Sequence, residues 1–265
     1  MTQLSSLVAL IHSESGVGKS QVADTIPGPR LILDAEGGSE YTPSWPKYIW
    51  NPHRFAPPGV QGCEPGQEQV APTTRVIVQD WNTWERVHTW LASGHHPFVS
   101  VVLDSLTEIQ KRCRDNVRGT EQMQLQHWGE LLILMEAAVR QLRDLAKNPY
   151  TGLQNVIILA LTDMNKERGR PLAQGALQMV LPGFVDVIGY MQTGQYPEGG
   201  GLYRTMTIQP YGQFVAKDRT DLLTQTFGPH VHIRDIHQPQ LGGYNLADMV
   251  QVLDSRYTNR GGTPA

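Results

Sequence analysis

The chain has 265 residues, of which 40% are hydrophobic and 18% are charged, and its formal net charge is −3. This length allows one large α/β domain or a core with a small appendage, and the charge balance means that any nucleic-acid binding has to come from local basic patches. No apolar run approaches the roughly 18 residues that a membrane span needs, and Cys63 and Cys113 lack the spacing of a disulfide framework or a metal site. We therefore expect a cytoplasmic protein that does not enter a membrane.

Apolar runs of strand length alternate with helical patterns along most of the chain. The runs are apolar on both faces, which is typical of central strands in a parallel sheet covered by helices. A hairpin is predicted where Tyr203–Gln209 and Gln213–Ala216 flank Pro210-Tyr211-Gly212. The other predicted elements are strands at Leu7–Ile11, Leu31–Leu33, Arg75–Val78, Phe98–Leu103 and Val156–Leu161, and helices at Lys19–Thr25, Trp81–Leu91, His127–Lys147 and Leu246–Leu253.

Composition along the chain predicts a core and an appendage. The core covers residues 1–225 and contains a Pro/Gly-rich insertion at 41–74 with little periodicity, which is expected to wrap the surface or face a partner. The appendage covers residues 226–265 and carries one short helix, followed by a polar, Gly-containing tail that we expect to be disordered.

The segment Ser13–Ser20 has the spacing of a phosphate-binding loop between a strand and a helix. The usual pattern has glycine at its first position, where this chain has Ser13; Gly16 and Gly18 still allow the backbone to approach a phosphate closely. The alternative is an ordinary Gly-rich turn. We predict that ATP is bound by Ser13, Glu14, Ser15, Gly16, Val17, Gly18, Lys19 and Ser20.

Two carboxylates follow predicted strands. Asp104 comes directly after an apolar run, where a carboxylate can hold Mg²⁺ together with Ser20; the alternative is that Asp104 or Ser105 caps a helix. Glu36 ends the second strand, and hydrolysis needs a base that orients the attacking water. Asp34 is a rival for that role, although strand alternation points it away from Glu36. The residues alone therefore predict a catalytic set of Lys19, Glu36 and Asp104, with Mg²⁺ at Ser20 and Asp104.

These motifs, in this order, resemble the core of the RecA/RadA recombinases, and more closely the small phage-encoded ATPases with that minimal core that act as single-strand annealing proteins. The resemblance spans about residues 5–222 and rests on the P-loop, Asp34-Ala35-Glu36-Gly37-Gly38, Val101–Thr107 and Ala216-Lys217-Asp218-Arg219. It implies a DNA-stimulated ATPase with a RecA-like P-loop NTPase fold: an α/β domain with a mainly parallel central sheet flanked by helices, a late β-hairpin and a small C-terminal appendage.

The resemblance also implies roles for further residues. Glu36 matches the glutamate that activates water, while Lys217 and Arg219 match a basic pair that reaches the γ-phosphate bound by the neighbouring subunit. Such a pair would couple hydrolysis to assembly, because it stabilises transition-state charge only when a partner docks. The alternative for the pair is a solvated strand end. Thr162 stands where relatives have a polar amide or histidine that senses the γ-phosphate, and its side chain is shorter.

Two segments, roughly 116–126 and 163–181, correspond to the loops that face single-stranded DNA in RecA-like filaments. The alternative is that they are solvated faces. The implied partners are single-stranded DNA, further copies of the chain in a ring or filament, and a single-strand-binding protein, in a host bacterial cytoplasm. Rival functions are a nucleotide or small-molecule kinase and a nucleotide-gated assembly protein with weak hydrolysis. The basic residues suited to neutralise the DNA backbone are Arg112, Arg114, Arg118, Lys166, Arg168 and Arg170.

Overall fold

A computed structural model describes residues 6–44, 47–164, 169–196, 201–235 and 238–260 of the chain, with side chains as far as residue 255. The strands are, in chain order, β1 (Leu7–Ser13), β2 (Arg30–Asp34), β3 (Lys47–Ile49), β4 (Thr73–Ile77), β5 (Ser100–Asp104), β6 (Asn155–Asp163), β7 (Arg170–Pro171), β8 (Val187–Gln195), β9 (Leu202–Thr207), β10 (Lys217–Asp218) and β11 (His230–Ile233). The helices are α1 (Lys19–Ala23), α2 (Trp81–Ser93), α3 (Leu106–Arg118), α4 (Leu125–Lys147), α5 (Leu177–Phe184), α6 (Leu222–Phe227) and α7 (Leu246–Arg260).

One central sheet organises the fold. Over the described residues its strand order is β11-β9-β8-β1-β6-β5-β2-β4-β3, with β10 paired to β8 and β7 to β6. Neighbouring strands from β8 to β3 run parallel, whereas β9 is antiparallel to β8 and β11 is antiparallel to β9. Every residue of β1 and of β5 is buried, as expected for parallel strands covered on both faces. The expected RecA-like P-loop NTPase fold, an α/β sheet flanked by helices, is confirmed.

Alternate residues of β1 enter two separate hydrophobic cores. Val8 and Leu10 belong to the larger core, which also contains the apolar faces of α2, α3, α4 and α5. Leu7 and Ile11 face the other side, where α1 and α7 pack. Burial of both faces fixes the register of this strand, and it therefore also fixes where the loop after Ser13 begins.

The Pro/Gly-rich segment 41–74 is more ordered than the sequence indicated. Residues Lys47–Ile49 form β3, an edge strand parallel to β4. Trp50 follows directly and is 2% exposed, with its ring against those of Trp90 and Phe98. A strand of three residues is too short to produce a recognisable periodicity, so the sequence predicted no element at this point.

A late hairpin is present, but the predicted arms were wrong. It is formed by β8 and β9, whose register ends with Gln195 opposite Leu202. The segment around Pro210 makes only an isolated bridge between Tyr211 and Phe214. Because β8 and β11 already occupy both edges of β9, no edge of β9 is left for residues 213–216 to pair with.

The region after residue 225 packs on the same sheet. Strand β11 pairs with β9, and α7 buries Leu246, Met249 and Leu253 in the core that contains α1. Helix α7 runs to Arg260 and is longer than predicted; the tail beyond it lies outside the described residues. The boundary at 225 stays a prediction. None of the helices in the described part of the chain has the length and apolar character that crossing a bilayer requires.

Candidate active site

The loop between β1 and α1 has the backbone shape that its glycines permit. Gly16 has φ +79° and Gly18 has φ +99°, values that favour glycine because it lacks a Cβ. Gly18 is the N-cap residue of α1, and its carbonyl accepts the first helical hydrogen bond from Val22. The strand before the loop and the helix after it are present as predicted.

Ser13 and Lys19 close the loop onto itself. Lys19 Nζ lies 3.0 Å from Ser13 Oγ and donates to the carbonyl of Glu14 at 2.9 Å. The Ser13 hydroxyl donates its own proton to the same carbonyl at 2.7 Å, so its oxygen can accept from the ammonium. Burial lowers the pKa of Lys19, whereas the nearby carboxylates of Glu36 and Asp104 act in the opposite direction. Serine at this position thus gives the lysine an acceptor that glycine would lack.

The predicted metal ligands lie side by side. The hydroxyl of Ser20 donates to Asp104 Oδ2 at 2.6 Å, and Asp104 is 2% exposed at the end of β5. The pKa of Asp104 is raised to about 6, chiefly by burial; the Ser20 hydrogen bond acts to lower it, and the nearby carboxylate of Glu36 acts in the same direction as burial. The N-cap residue of α3 is Ser105, so the Asp104 carboxylate does not cap this helix. A hydroxyl and a carboxylate are the hard oxygen ligands that Mg²⁺ prefers, so this pair fits the ion.

Glu36 lies above this pair on the loop after β2. Its Oε1 accepts a short hydrogen bond from the Ser105 hydroxyl, and its side chain is exposed to the cleft. Asp34 is buried instead, with Arg75 Nη2 2.6 Å away and the backbone N–H of Gly37 at 2.6 Å. Asp34 therefore shapes the turn that presents Glu36, and the rival assignment of Asp34 as the base has no support from the geometry.

A cleft of about 250 Å³ opens over these residues. Tyr41 stands at it with 80% of its surface exposed, and Leu161 of β6 forms part of its wall. From the predicted set the cleft is lined by Ser15, Gly16, Gly18, Lys19, Ser20 and Glu36.

Thr162 points away from the cleft toward a buried histidine. His12 Nε2 lies 2.8 Å from the carbonyl of Val215, which can only accept, so this nitrogen carries the proton. His12 Nδ1 must then accept from the Thr162 hydroxyl at 2.9 Å. Burial lowers the pKa of His12 to about 4, so the imidazole is neutral. Thr162 uses its single hydroxyl proton in this hydrogen bond to His12. To act as the predicted γ-phosphate sensor, its side chain would have to break the bond and adopt another rotamer.

Lys217 and Arg219 lie on and just after β10, which pairs with the first residues of β8 and not with the end of β8 that lies beside the P-loop. The Lys217 ammonium binds the carbonyls of Pro182 and Val185 at the end of α5. Exposed Arg219 contacts Asp186, whose backbone N–H pairs with Val8 near the start of β1. In one chain these cations therefore do not meet the loop that follows the end of β1.

The predicted DNA-binding residues fall into two groups. Arg112, Arg114 and Arg118 lie on α3, each within 3.3 Å of Glu108 or Asp115. Arg170 is on β7, and Lys166 and Arg168 lie outside the described residues.

Arg204 is a cleft residue that sequence reasoning missed. It comes from β9, and its Nε donates to the carbonyl of Val17 at 2.8 Å. The two residues are 187 positions apart. No motif marks this arginine, and only the pairing of β9 with β8 places it beside the P-loop.

A family model described as an AAA domain matches residues 5–220. The chain belongs to this family. As an AAA domain with a P-loop it is a P-loop ATPase, for which ATP with Mg²⁺ is the expected substrate complex. A comparison with curated proteins finds no match.

Solved structures similar to this AAA domain include a KaiC-like protein from the hyperthermophilic archaeon Pyrococcus horikoshii. Its TM-score is 0.40 at 12% identity, over 76% of this chain and 77% of that one. Another is a prototypical ATPase from the type III secretion system of pathogenic bacteria, with a TM-score of 0.41 at 13% identity, over 71% of this chain and 52% of that one. Both TM-scores are low, so neither neighbour adds to the functional argument.

Proposed function

We propose that this AAA domain is a phage recombination ATPase that binds single-stranded DNA and promotes annealing or pairing as an oligomer, with Mg-ATP hydrolysed between subunits and a single-strand-binding protein as a further partner. The observation that carries the proposal is that the two segments predicted to face DNA line one groove, to which the first contributes Leu125 and the second contributes residues 174–176. The second segment is also tied to α3, the helix that carries the predicted DNA-binding arginines, because Gln174 donates its backbone N–H to Gln110 Oε1 at 2.9 Å. The same segment continues from β6, whose Leu161 lines the nucleotide cleft.

A groove lies where these two segments meet. It encloses about 390 Å³ between the start of α4 and residues 174–176. Trp128 and Leu125 both line it, and their exposed fractions are 42% and 90%. Trp128 supplies an exposed aromatic face, and α3, whose Gln110 lines the same groove, carries basic side chains. Sequence-tolerant single-strand binding uses aromatic faces together with cations, because every base has a face that can stack.

The cations of α3 are partly neutralised by their own helix. Four of its residues, Lys111, Arg112, Arg114 and Arg118, are basic, against the two carboxylates of Glu108 and Asp115. Exposed ion pairs of this kind are weak, so a phosphate backbone can compete for the arginines. We therefore expect DNA binding to be strongly dependent on salt.

The position of Arg219 supports hydrolysis between subunits. Arg219 is exposed near the start of β1, whereas its own P-loop follows the end of β1, so a phosphate contact by this residue needs a second copy of the chain. A cation supplied by a neighbour stabilises transition-state charge only in the assembly.

ATP turnover measured with and without single-stranded DNA tests the proposal. We expect stimulation by DNA in the wild type, no turnover in Lys19→Ala, and weaker stimulation in Trp128→Ala. Tyr150→Ala is the matched control, because Tyr150 is an aromatic residue that is 88% exposed and does not line the groove. A wild-type ATP turnover rate that is the same with and without single-stranded DNA would contradict the recombination proposal.

Glu36→Gln separates hydrolysis from nucleotide-gated assembly. In a hydrolase this change removes the group that orients water and traps the ATP state, with turnover reduced by about a hundredfold or more. Turnover that is equally slow in the wild type and in Glu36→Gln would instead favour an assembly protein that hydrolyses ATP poorly. Transfer of phosphate to a small-molecule acceptor would favour the kinase.

A further inference from the structure

The guanidinium of Arg204 lies directly against the phosphate-binding loop. Besides the bond from Nε to the Val17 carbonyl at 2.8 Å, a Cβ placed on Gly18 would lie 2.8 Å from the same nitrogen. Glycine at position 18 therefore permits both the left-handed backbone and the close approach of the arginine. Arg204 also lines the cleft, with Lys19, Ser20 and Gln21 among its neighbours there.

Asp235 holds this guanidinium from the other side. Asp235 Oδ2 lies 3.2 Å from Arg204 Nη1, and the two side chains are 25% and 23% exposed. The bonds to Val17 and Asp235 engage Nε and one terminal nitrogen, so further N–H donors remain on the terminal nitrogens of the fork. An arginine that is oriented by a carboxylate and keeps donors in reserve is suited to bind phosphate oxygens.

We propose that Arg204 binds the α- and β-phosphates of the nucleotide within its own chain, as a second cation of the site, and that Asp235 sets its orientation. Lys19 and Arg204 flank the loop from its two ends: the lysine binds at Ser13 and Glu14, and the arginine binds the carbonyl of Val17, next to Gly18. In a loop of this type the lysine reaches the β- and γ-phosphates, while the amides near the helix cradle the α- and β-phosphates. Arg204 lies at the end where the helix begins, so it serves the phosphates that ATP and ADP share.

This position distinguishes Arg204 from Arg219. An arginine that acts on the γ-phosphate discriminates between ATP and ADP, whereas Arg204 strengthens the binding of both nucleotides by the same factor. The proposal rests on nucleotide binding by the P-loop and not on DNA. Failure of DNA stimulation would therefore leave it standing, whereas a wild-type chain that binds no nucleotide would overturn it.

Calorimetric titration with ADP and with a non-hydrolysable ATP analogue, in the presence of Mg²⁺ and without DNA, tests the assignment. We expect Arg204→Ala to raise both dissociation constants by about tenfold, as for the loss of one charge-assisted hydrogen bond, with their ratio unchanged. Arg204→Lys, which keeps the charge but loses the fork, and Asp235→Asn should each give a smaller rise for both nucleotides.

Arg234→Ala is the matched control, because it removes an arginine and an ion pair from the same edge of the sheet. Arg234 Nη2 lies 3.1 Å from Asp248, and its side chain does not line the phosphate cleft. We expect its dissociation constants to match the wild type. Equal weakening by Arg234→Ala would show a general effect of charge and would overturn the proposal.

Two other results would also overturn it. A lower melting temperature of the nucleotide-free Arg204→Ala protein with unchanged dissociation constants would reduce Arg204 to a structural tie between β9 and the loop. Weaker binding of the ATP analogue alone would place the arginine at the γ-phosphate. If Arg204→Ala does not fold, Arg204→Lys and Asp235→Asn decide by the same comparison, and normal affinity in both contradicts the assignment.

Discussion

Ser105 donates its hydroxyl proton to Glu36, and the same residue is the N-cap of α3. The hydroxyl oxygen accepts from the backbone N–H of Glu108 at 3.4 Å, so one side chain joins the start of a helix to the candidate base. Glu36 lies on an exposed turn after β2, where a glutamate would otherwise have many rotamers. The Ser105 contact reduces that freedom and directs the carboxylate toward the cleft.

Ser105→Ala should therefore lower kcat more than it changes KM for ATP. We expect a loss of about tenfold in kcat, because a misplaced base orients water poorly, and a fall of about 1 kcal/mol in the free energy of unfolding from the missing cap. Steady-state ATPase kinetics and urea unfolding measure the two effects. Ser105→Thr keeps the hydroxyl and should restore both quantities. An unchanged kcat in a destabilised Ser105→Ala would mean that Ser105 acts only as the cap.

We expect Asp104 to reduce the stability of the metal-free protein. Burial raises its pKa from 3.8 to about 6, so the folded state holds the proton to a higher pH than the unfolded state does. Stability from this group is therefore present at low pH and falls as pH rises from about 4 to about 6, by about 3 kcal/mol in full. Asp104→Asn lacks the charge and keeps an oxygen that can accept from Ser20.

We therefore expect metal-free Asp104→Asn to be more stable than the wild type at pH 7.5, with the difference vanishing near pH 4. Urea unfolding in a chelator at both pH values measures this. The same substitution should raise the Mg²⁺ concentration needed for half-maximal ATPase activity, because a carboxylate ligand is lost. A variant that is less stable at pH 7.5 would show that the charge of Asp104 is balanced within the fold.

The parallel sheet and the P-loop could be predicted because their signals are local. Two-sided apolar runs mark β1 and β5, and the glycines of the loop follow in sequence. The predicted ends of most strands differ by one or two residues from those in the structure, since the last pair of a strand is decided by its neighbours in the sheet. For β1 the strand continues through His12 to Ser13, where β6 pairs as far as Leu161.

Residues that complete the site from distant strands gave no such signal. Arg204 is an ordinary arginine of a half-exposed strand until β8 and β9 pair and place it over Val17. Ser105 was considered only as a helix cap, because its contact with Glu36 requires β2 and β5 to lie side by side. The hairpin around Pro210 was misassigned because turn chemistry indicates a reversal of the chain but does not determine which strand pairs next.

Hydrolysis between subunits predicts that two inactive variants complement each other. Lys19→Ala removes the lysine of the P-loop, and Arg219→Ala removes the cation proposed to act on the neighbour. Each protein alone should be inactive or nearly so. In an equal mixture roughly a quarter of the interfaces combine an intact P-loop from one copy with an intact Arg219 from the next, and ATPase activity should recover to about that level.

The position of Lys217 makes Arg219 the better choice for this experiment. Lys217 binds two carbonyls at the end of α5, so its loss would also disturb the fold. The matched control mixes Lys19→Ala with Glu36→Gln, because both changes affect the same P-loop site and no interface in the mixture regains it. Full activity of Arg219→Ala alone, or no recovery in the first mixture, would contradict a role in the neighbour's site.

His12 should make the protein sensitive to mild acid. Burial lowers its pKa from 6.5 to about 4, so between these pH values the unfolded state binds a proton on His12 and the folded state does not. The stability contribution is therefore full above pH 6.5 and is lost as pH falls toward 4, by about 3 kcal/mol.

His12→Gln can still donate to Val215 and accept from Thr162 but does not titrate. We expect the stability difference between wild type and His12→Gln, measured by urea unfolding, to shift in favour of the variant between pH 7.5 and pH 4.5. A difference that stays constant over this range would mean that the folded protein accepts the proton on His12 as readily as the unfolded chain does.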